Sequence, residues 1–219
     1  MWLEPSEWTQ LFEAALETLY MVGISGLFTV ILGIPLGIFL VLTDKGQLLE
    51  NRILNIILSV IVNVFRSIPF IILMVLLIPF TRKIVGTPIG STAATVPLIV
   101  GAAPFFARLV ETSLREVNKG VIEAALSMGA NIRQIIFKVY LPEAMPSILS
   151  GITVTLVALI SYSAMAGVLG GGGLGNMAII YGYQLYNTPV MLVTTAVILL
   201  LVQLVQTLGD HISKRIDKK

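Results

Sequence analysis

Apolar residues in this chain neither alternate nor form short stripes. They run on, in five long stretches separated by short polar breaks. The stretches extend from about Leu16 to Leu42, Ile53 to Phe80, Thr92 to Val110, Ile148 to Leu169 and Pro189 to Leu208. A helix crossing the hydrocarbon core of a bilayer needs about 20 apolar residues, so each stretch predicts one membrane span. The first is longer than a crossing requires and is expected to tilt or project. Thr43-Asp44-Lys45-Gly46-Gln47 forms a charged, turn-rich break before the second.

Composition supports the same class. Of 219 residues, 56% are hydrophobic and 12% charged, with a mean hydropathy of +0.94; soluble domains carry about 25% charged residues. So much apolar surface excludes a soluble fold of this size. The absence of cysteine excludes disulfides, thiolate metal sites and a thiol nucleophile. Glu4, Glu7, Glu13 and Glu17 stand where a cleavable signal peptide would have a basic n-region, so none is expected.

The net charge of +2 matters less than its distribution. Lys45, Arg52, Arg108, Arg115, Lys119, Arg133, Lys138, Lys214, Arg215, Lys218 and Lys219 fall on one side of the expected spans, and Arg82 and Lys83 on the other. The positive-inside rule then puts the N-terminus outside and the C-terminus in the cytoplasm. The segment from about Glu111 to Pro146 becomes a cytoplasmic loop.

That loop predicts two short helices. Asn118 is placed to cap one that runs to Met128, and Gly129 to break it. Asn131 is placed to cap a second, with Ile132, Ile135, Ile136, Val139 and Tyr140 forming an apolar stripe at i, i+3, i+4, i+7 and i+8. Leu141-Pro142 is expected to end it, because proline lacks the N–H that a helix interior uses. Ala124 and Ala125 keep the first helix low enough for a groove or another helix to approach. By spacing alone, the pair is either a hairpin on the membrane surface or a docking element.

Glu123-Ala124-Ala125, three residues, Gly129, then nine residues to Val139-Tyr140-Leu141-Pro142 resembles the EAA motif of type I ABC importer permeases. Val139 stands where that motif usually has Ile. Further stretches resemble the methionine importer branch: Asn63 to Leu73, Val100 to Phe105, Ser161 to Met165, Gly171 to Gly175 and Tyr181-Gly182-Tyr183. The resemblance implies an all-α integral membrane protein, a single transmembrane domain over residues 1–219. It implies a homodimer of permeases in lipid, two cytoplasmic ATPases that hold ATP and Mg, and an external solute-binding protein. No cofactor, metal or nucleic acid is expected on this chain. The loop would be the coupling element, with Glu123, Ala124, Ala125, Met128, Gly129, Ile132, Ile136, Leu141 and Pro142 meeting the ATPase. The function implied is methionine import across the bacterial plasma membrane; another amino acid, a small peptide or a methionine derivative is the alternative.

Other residues are read more locally. Glycines 170 to 173 and 175 lack the Gly-Lys-Ser/Thr ending of a phosphate loop and are expected to form a tight bend. By resemblance, Gly172 and Gly173, with Arg82 and Lys83, are candidate binding-protein contacts. Arg66 is read as the charge within a span, either snorkelling and bonding carbonyls freed by Pro69 or binding a substrate carboxylate. Ser161 and Tyr162 suit a pathway wall or close packing, and Met165 is a gate candidate by resemblance. Span three, with Pro97 and Pro104, is expected to bend. Gly33 and Gly37 suit close helix packing, and Pro35 between them equally suits a kink. An intramembrane enzyme would need paired acids or a His/Asp set, yet the sole histidine, His211, lies in the basic tail. A self-sufficient channel or secondary transporter would show intramembrane acids or an internal repeat. A membrane scaffold would not need the loop.

Overall fold

The structure, a computed structural model, describes residues 4–216; Lys218 and Lys219 lie outside them. Regular structure among the described residues is entirely helical. Helix α1, Pro5–Leu42, starts well before the apolar stretch does, because Glu4 and Glu7 form a reciprocal capping box and Pro5 fits the first turn. Its 38 residues span about 57 Å at 1.5 Å per residue, against about 30 Å of hydrocarbon, so the helix projects.

The second expected span is broken rather than a single rod. Helix α2 covers Arg52–Ser67, α3 covers Phe70–Leu76 and α4 covers Ile78–Val85. The axes of α2 and α3 differ by 105°. Ile68 and Pro69 between them are extended, since the residue before a proline is driven out of helical backbone. Arg82 and Lys83, which fall between the second and third apolar stretches, belong to α4 rather than to a loop.

Helix α5, Ser91–Arg115, passes through Pro97 and Pro104 and continues beyond Val110. The expected loop therefore does not begin at Glu111, which is buried within α5. Helix α6, Lys119–Ser127, and α7, Ile132–Ile135, follow. A wide π turn, Ile136–Tyr140, then leads without interruption into α8, Leu141–Ala166. Leu141-Pro142 thus does not end the helix. Pro142 falls in the first turn after the π segment, where a widened turn absorbs the missing N–H and the ring's bulk.

At the far end of α8 the chain turns through Gly167–Gly171 into α9, Gly173–Asn176. Gly170, Gly172 and Gly173 have φ of +87°, +77° and +78°, the left-handed region that glycine enters without strain; this is the expected bend. A second wide-turn helix, Met177–Gln184, precedes α10, Thr188–Ile216. Among the described residues, four helical segments are long and apolar enough to cross a membrane, or up to five if α2 and α3 together make one crossing.

Helices α1 and α5 form the centre. Gly33 and Gly37 of α1 are buried against Phe106, Ala107 and Val110 of α5, so the glycine pair serves packing. Pro35 lies inside an unbroken helix. The opposite faces of α1, α2 and α10 carry exposed Ile, Leu, Val and Phe, as expected of helices with lipid or another chain for solvent.

Candidate functional site

The loop between α5 and α8 is built by its caps. The Asn118 side chain accepts from the Gly120 N–H at 2.8 Å to start α6. At the other end, Gly129 has φ +81°, its N–H donates to the Leu126 carbonyl and that of Ala130 to the Ala125 carbonyl. This paired closure by a left-handed glycine ends a helix without orphaned carbonyls. Asn131 and Gln134 then cap α7 reciprocally, at 2.9 and 3.0 Å.

The faces of these helices differ from the expected docking face. Ile135 and Tyr140 are buried against Leu114 and Val117, with Ile136, Val139 and Leu141 packed on the same cluster. Ile135, Ile136, Val139 and Tyr140 of the apolar stripe consequently attach the loop to its own chain, and Ile132 does not. Ala125 also points inward, whereas Glu123, Ala124, Met128, Gly129, Ile132 and Pro142 are exposed. Met128 is 82% exposed, and Phe137, which spacing did not single out, 66%. Under α6 lies a cavity of about 570 Å³ whose lining includes Gln47, Arg115, Lys119, Glu123, Leu126 and Tyr140. The loop is thus anchored by one face of α7 and its π turn, while α6 stands partly free.

Charges gather beneath it. The Arg115 guanidinium donates to Asp44 at 2.7 Å and to buried Glu111 at 2.9 and 3.1 Å. Arg108 pairs with the other oxygen of Glu111 and donates to Asn63 of α2 at 2.9 Å. Arg115 beside it, and the Lys45 N–H after it, hold the Asp44 carboxyl below the usual carboxylate range. Arg66 is therefore not the single charge in the apolar helices. Positions 108, 111 and 115 fall on one helical face at i, i+3 and i+7; Arg108 already lies within the third apolar stretch, and ending that stretch at Val110 separated it from Glu111 and Arg115.

Three of the four pathway candidates meet. Arg66, Tyr162 and Met165 line one cavity of about 450 Å³, together with Phe70, Gly101 and Phe105. The bend at Ile68-Pro69 forms its wall on the α2–α3 side. The Tyr162 ring stacks on Phe70 with centroids 4.6 Å apart and planes 10° from parallel. Ser161 stands apart from this cavity, on an exposed face of α8, its hydroxyl bonding its own helix at Val157. One cation beside aromatic, thioether and glycine surface suits a small zwitterion with an apolar side chain.

At the opposite end, Gly172 and Gly173 are not free surface. The Glu17 carboxylate accepts from the Gly173 N–H at 2.6 Å and the Thr18 hydroxyl from that of Leu174 at 2.9 Å. Gly173 is buried against Thr18 and Met21. Glu7 accepts from the Asn187 amide at 2.7 Å. The acidic first helix thus straps the α8–α10 connection, a role no local pattern revealed because the partners are over a hundred residues apart. Arg82 and Lys83 are exposed on α4. Among the described residues, no three His, Asp or Glu side chains come together as a metal site.

The described residues thus form a helical unit with apolar, span-length helices, a capped loop at one end and a small polar–aromatic cavity. The sequence pattern of the family described as "Binding-protein-dependent transport system inner membrane component" matches residues 33–218, and the chain belongs to that family. It is 52% identical over 217 residues to the probable D-methionine transport system permease protein MetI of Pasteurella multocida, covering 99% of this chain and 100% of that one. It is 54% identical over 211 residues to the methionine import system permease protein MetP of Bacillus subtilis, covering 96% and 95%. Among solved structures, a chain of the MetNI methionine ABC transporter in inward-facing conformations matches with a TM-score of 0.97 and 48% identity, over 99% of this chain and 100% of that one.

Proposed function

We propose that this chain is the membrane-spanning permease subunit of an ATP-driven methionine importer in the bacterial plasma membrane. The observation that carries the substrate is the cavity of Arg66, Tyr162 and Met165, in a chain about half identical end to end to permeases named for methionine. Arg66 would meet the substrate carboxylate, and Met165 and the Phe70–Tyr162 stack its side chain.

In this reading residues 1–219 form one transmembrane domain with five crossings, the second bent at Pro69. The N-terminus is outside and the C-terminus cytoplasmic, which follows from lysine and arginine placement. Two copies pair, and each exposes α6 to a cytoplasmic ATPase that holds ATP and Mg. The docking surface is Glu123, Ala124, Met128 and Ile132, extended by Phe137. Gly129 and Pro142 shape it, while Ala125, Ile136 and Leu141 support it from within. ATPase closure moves both loops together and alternates access to the cavity. A binding protein delivers solute at the outer end, where Arg82 and Lys83 are the exposed contacts and Gly172 and Gly173 hold the backbone turn.

The test is uptake of labelled L-methionine by proteoliposomes containing this chain, its co-encoded ATPase and its binding protein. Uptake requiring all three and competed only by methionine-like compounds is expected. Uptake of another solute moves the substrate, and transport by this chain alone overturns the reading.

A further inference from the structure

Helix α2 is attached to its own chain by little apolar contact, since Val62 is its buried side chain. Two asparagines do the rest. Asn55 donates to the Leu40 carbonyl at 2.9 Å and to the Thr43 hydroxyl at 3.1 Å. About two turns later, Asn63 accepts from Arg108 at 2.9 Å. Arg108 is held by Glu111, Glu111 by Arg115 and Arg115 by Asp44. This ladder starts at the end of α5, close to the Asn118 cap of α6. It ends on α2 at Asn63, one turn before Arg66, whose side chain lines the cavity with Tyr162 and Met165. Glu111 is 8% exposed, and a desolvated carboxylate between two guanidiniums fixes both, because losing either leaves its charge less compensated. The exposed apolar face of α2 offers no comparable hold.

We propose that Arg108 is a positioning residue: through Glu111 and Asn63 it makes α2 follow α5, so that displacement of the loop end moves the Arg66 wall of the cavity. The role in transport rests on the importer reading; the mechanical link between α2 and α5 does not.

The chain has no cysteine, so spin labels at Val60→Cys on α2 and Leu204→Cys on α10, both exposed positions, report where α2 stands in the full-length protein. Asn63→Leu removes the acceptor at an exposed site and leaves Glu111 and Arg115 paired. The expected result is a shifted or broadened label distance in Asn63→Leu and in Arg108→Gln, with no further change in the double variant, since both cut the Arg108–Asn63 bond and the Glu111 pair that Arg108→Gln also loses lies within α5. Distances matching the unsubstituted chain overturn the link, whatever the protein transports; if Arg108→Gln fails to fold, Asn63→Leu alone decides. In proteoliposomes with the complete transporter, Asn63→Leu is expected to lower methionine taken up per ATP hydrolysed by about fivefold or more while hydrolysis continues. An unchanged ratio overturns the transport role. An unsubstituted complex that moves no methionine overturns the importer reading and leaves the label distances to judge the link.

Discussion

Gly37 of α1 lies so close to Val110 of α5 that a Cβ on the glycine would come within 2.6 Å of the Val110 Cβ, and within 2.8 Å of the Ala107 carbonyl oxygen. Both obstacles belong to the α5 backbone or its first side-chain atom, so no rotamer change relieves them. Gly37→Ala is expected to cost about 1–3 kcal/mol, the usual price of overpacking, and Val110→Ala is not expected to rescue it. Gly23→Ala, where nothing lies within 4 Å, should be neutral or slightly stabilising, since alanine favours helix over glycine. Thermal unfolding in detergent compares the three; equal midpoints for Gly37→Ala and Gly23→Ala would sink the close-packing claim.

Gly129 differs from Gly37, because open space surrounds it and only its φ of +81° requires glycine. Gly129→Leu should therefore cost about 1–2 kcal/mol of left-handed backbone strain, with the fold retained. Uptake per ATP hydrolysed should fall further than stability does, because the turn sets the angle between α6 and α7. Gly129→Asn, which tolerates that backbone, should keep most coupling. Full ATP-driven uptake by Gly129→Leu would remove this turn from the coupling element.

The stack of Tyr162 on Phe70 should contribute about 0.5–1.5 kcal/mol beyond its buried area. Tyr162→Phe is expected to preserve stability and Tyr162→Ala to lose it. Met165→Ala, at a side chain 44% exposed toward the cavity, should leave stability nearly unchanged and raise methionine leak into proteoliposomes without ATP. A leak equal to that of the unsubstituted protein would mean that Met165 does not close the path.

Asp44 supplies a pH dependence. Its carboxyl is held below its ordinary value, so the folded state binds its proton less readily than the unfolded chain does. The stabilisation from Arg115 is accordingly complete above the unfolded value of about 3.9 and is lost as pH falls through the lowered folded value. Asp44→Asn should melt below the unsubstituted protein at neutral pH, by no more than the about 1 kcal/mol of an exposed pair. The gap should close as pH falls below about 4. A gap that persists unchanged in acid would show that the ion pair is not its source.

Several elements were legible because their causes are local. Asn118, Gly129 and Asn131 mark helix ends through bonds to residues within five positions, and the bend at Gly170–Gly173 follows from backbone that only glycine adopts readily. The pairing of Arg66, Tyr162 and Met165 was half legible, since each was singled out and only their meeting was not. The direction of the stripe at Ile135, Ile136 and Tyr140 was not legible, because periodicity identifies an apolar face without saying whether the partner is another protein or the same chain.

By itself, then, the sequence determined the solvent, the helical class, the capped loop and its likeness to a transport family. Those follow from apolar runs too long for water, from caps that act over one turn and from a motif at fixed spacing. The break of α2 from α3, the passage of α7 into α8 through Pro142, the ladder from Asp44 to Asn63 and the strap of Glu17 on Gly173 were decided only in three dimensions. Hydropathy averages over an extended Ile68-Pro69 pair, and a proline's cost depends on the width of the turn before it. A charge counted as solvated reads the same in sequence as one buried against a partner from another helix. Such contacts arise from how α1, α2 and α5 pack, and packing is a property of the whole chain.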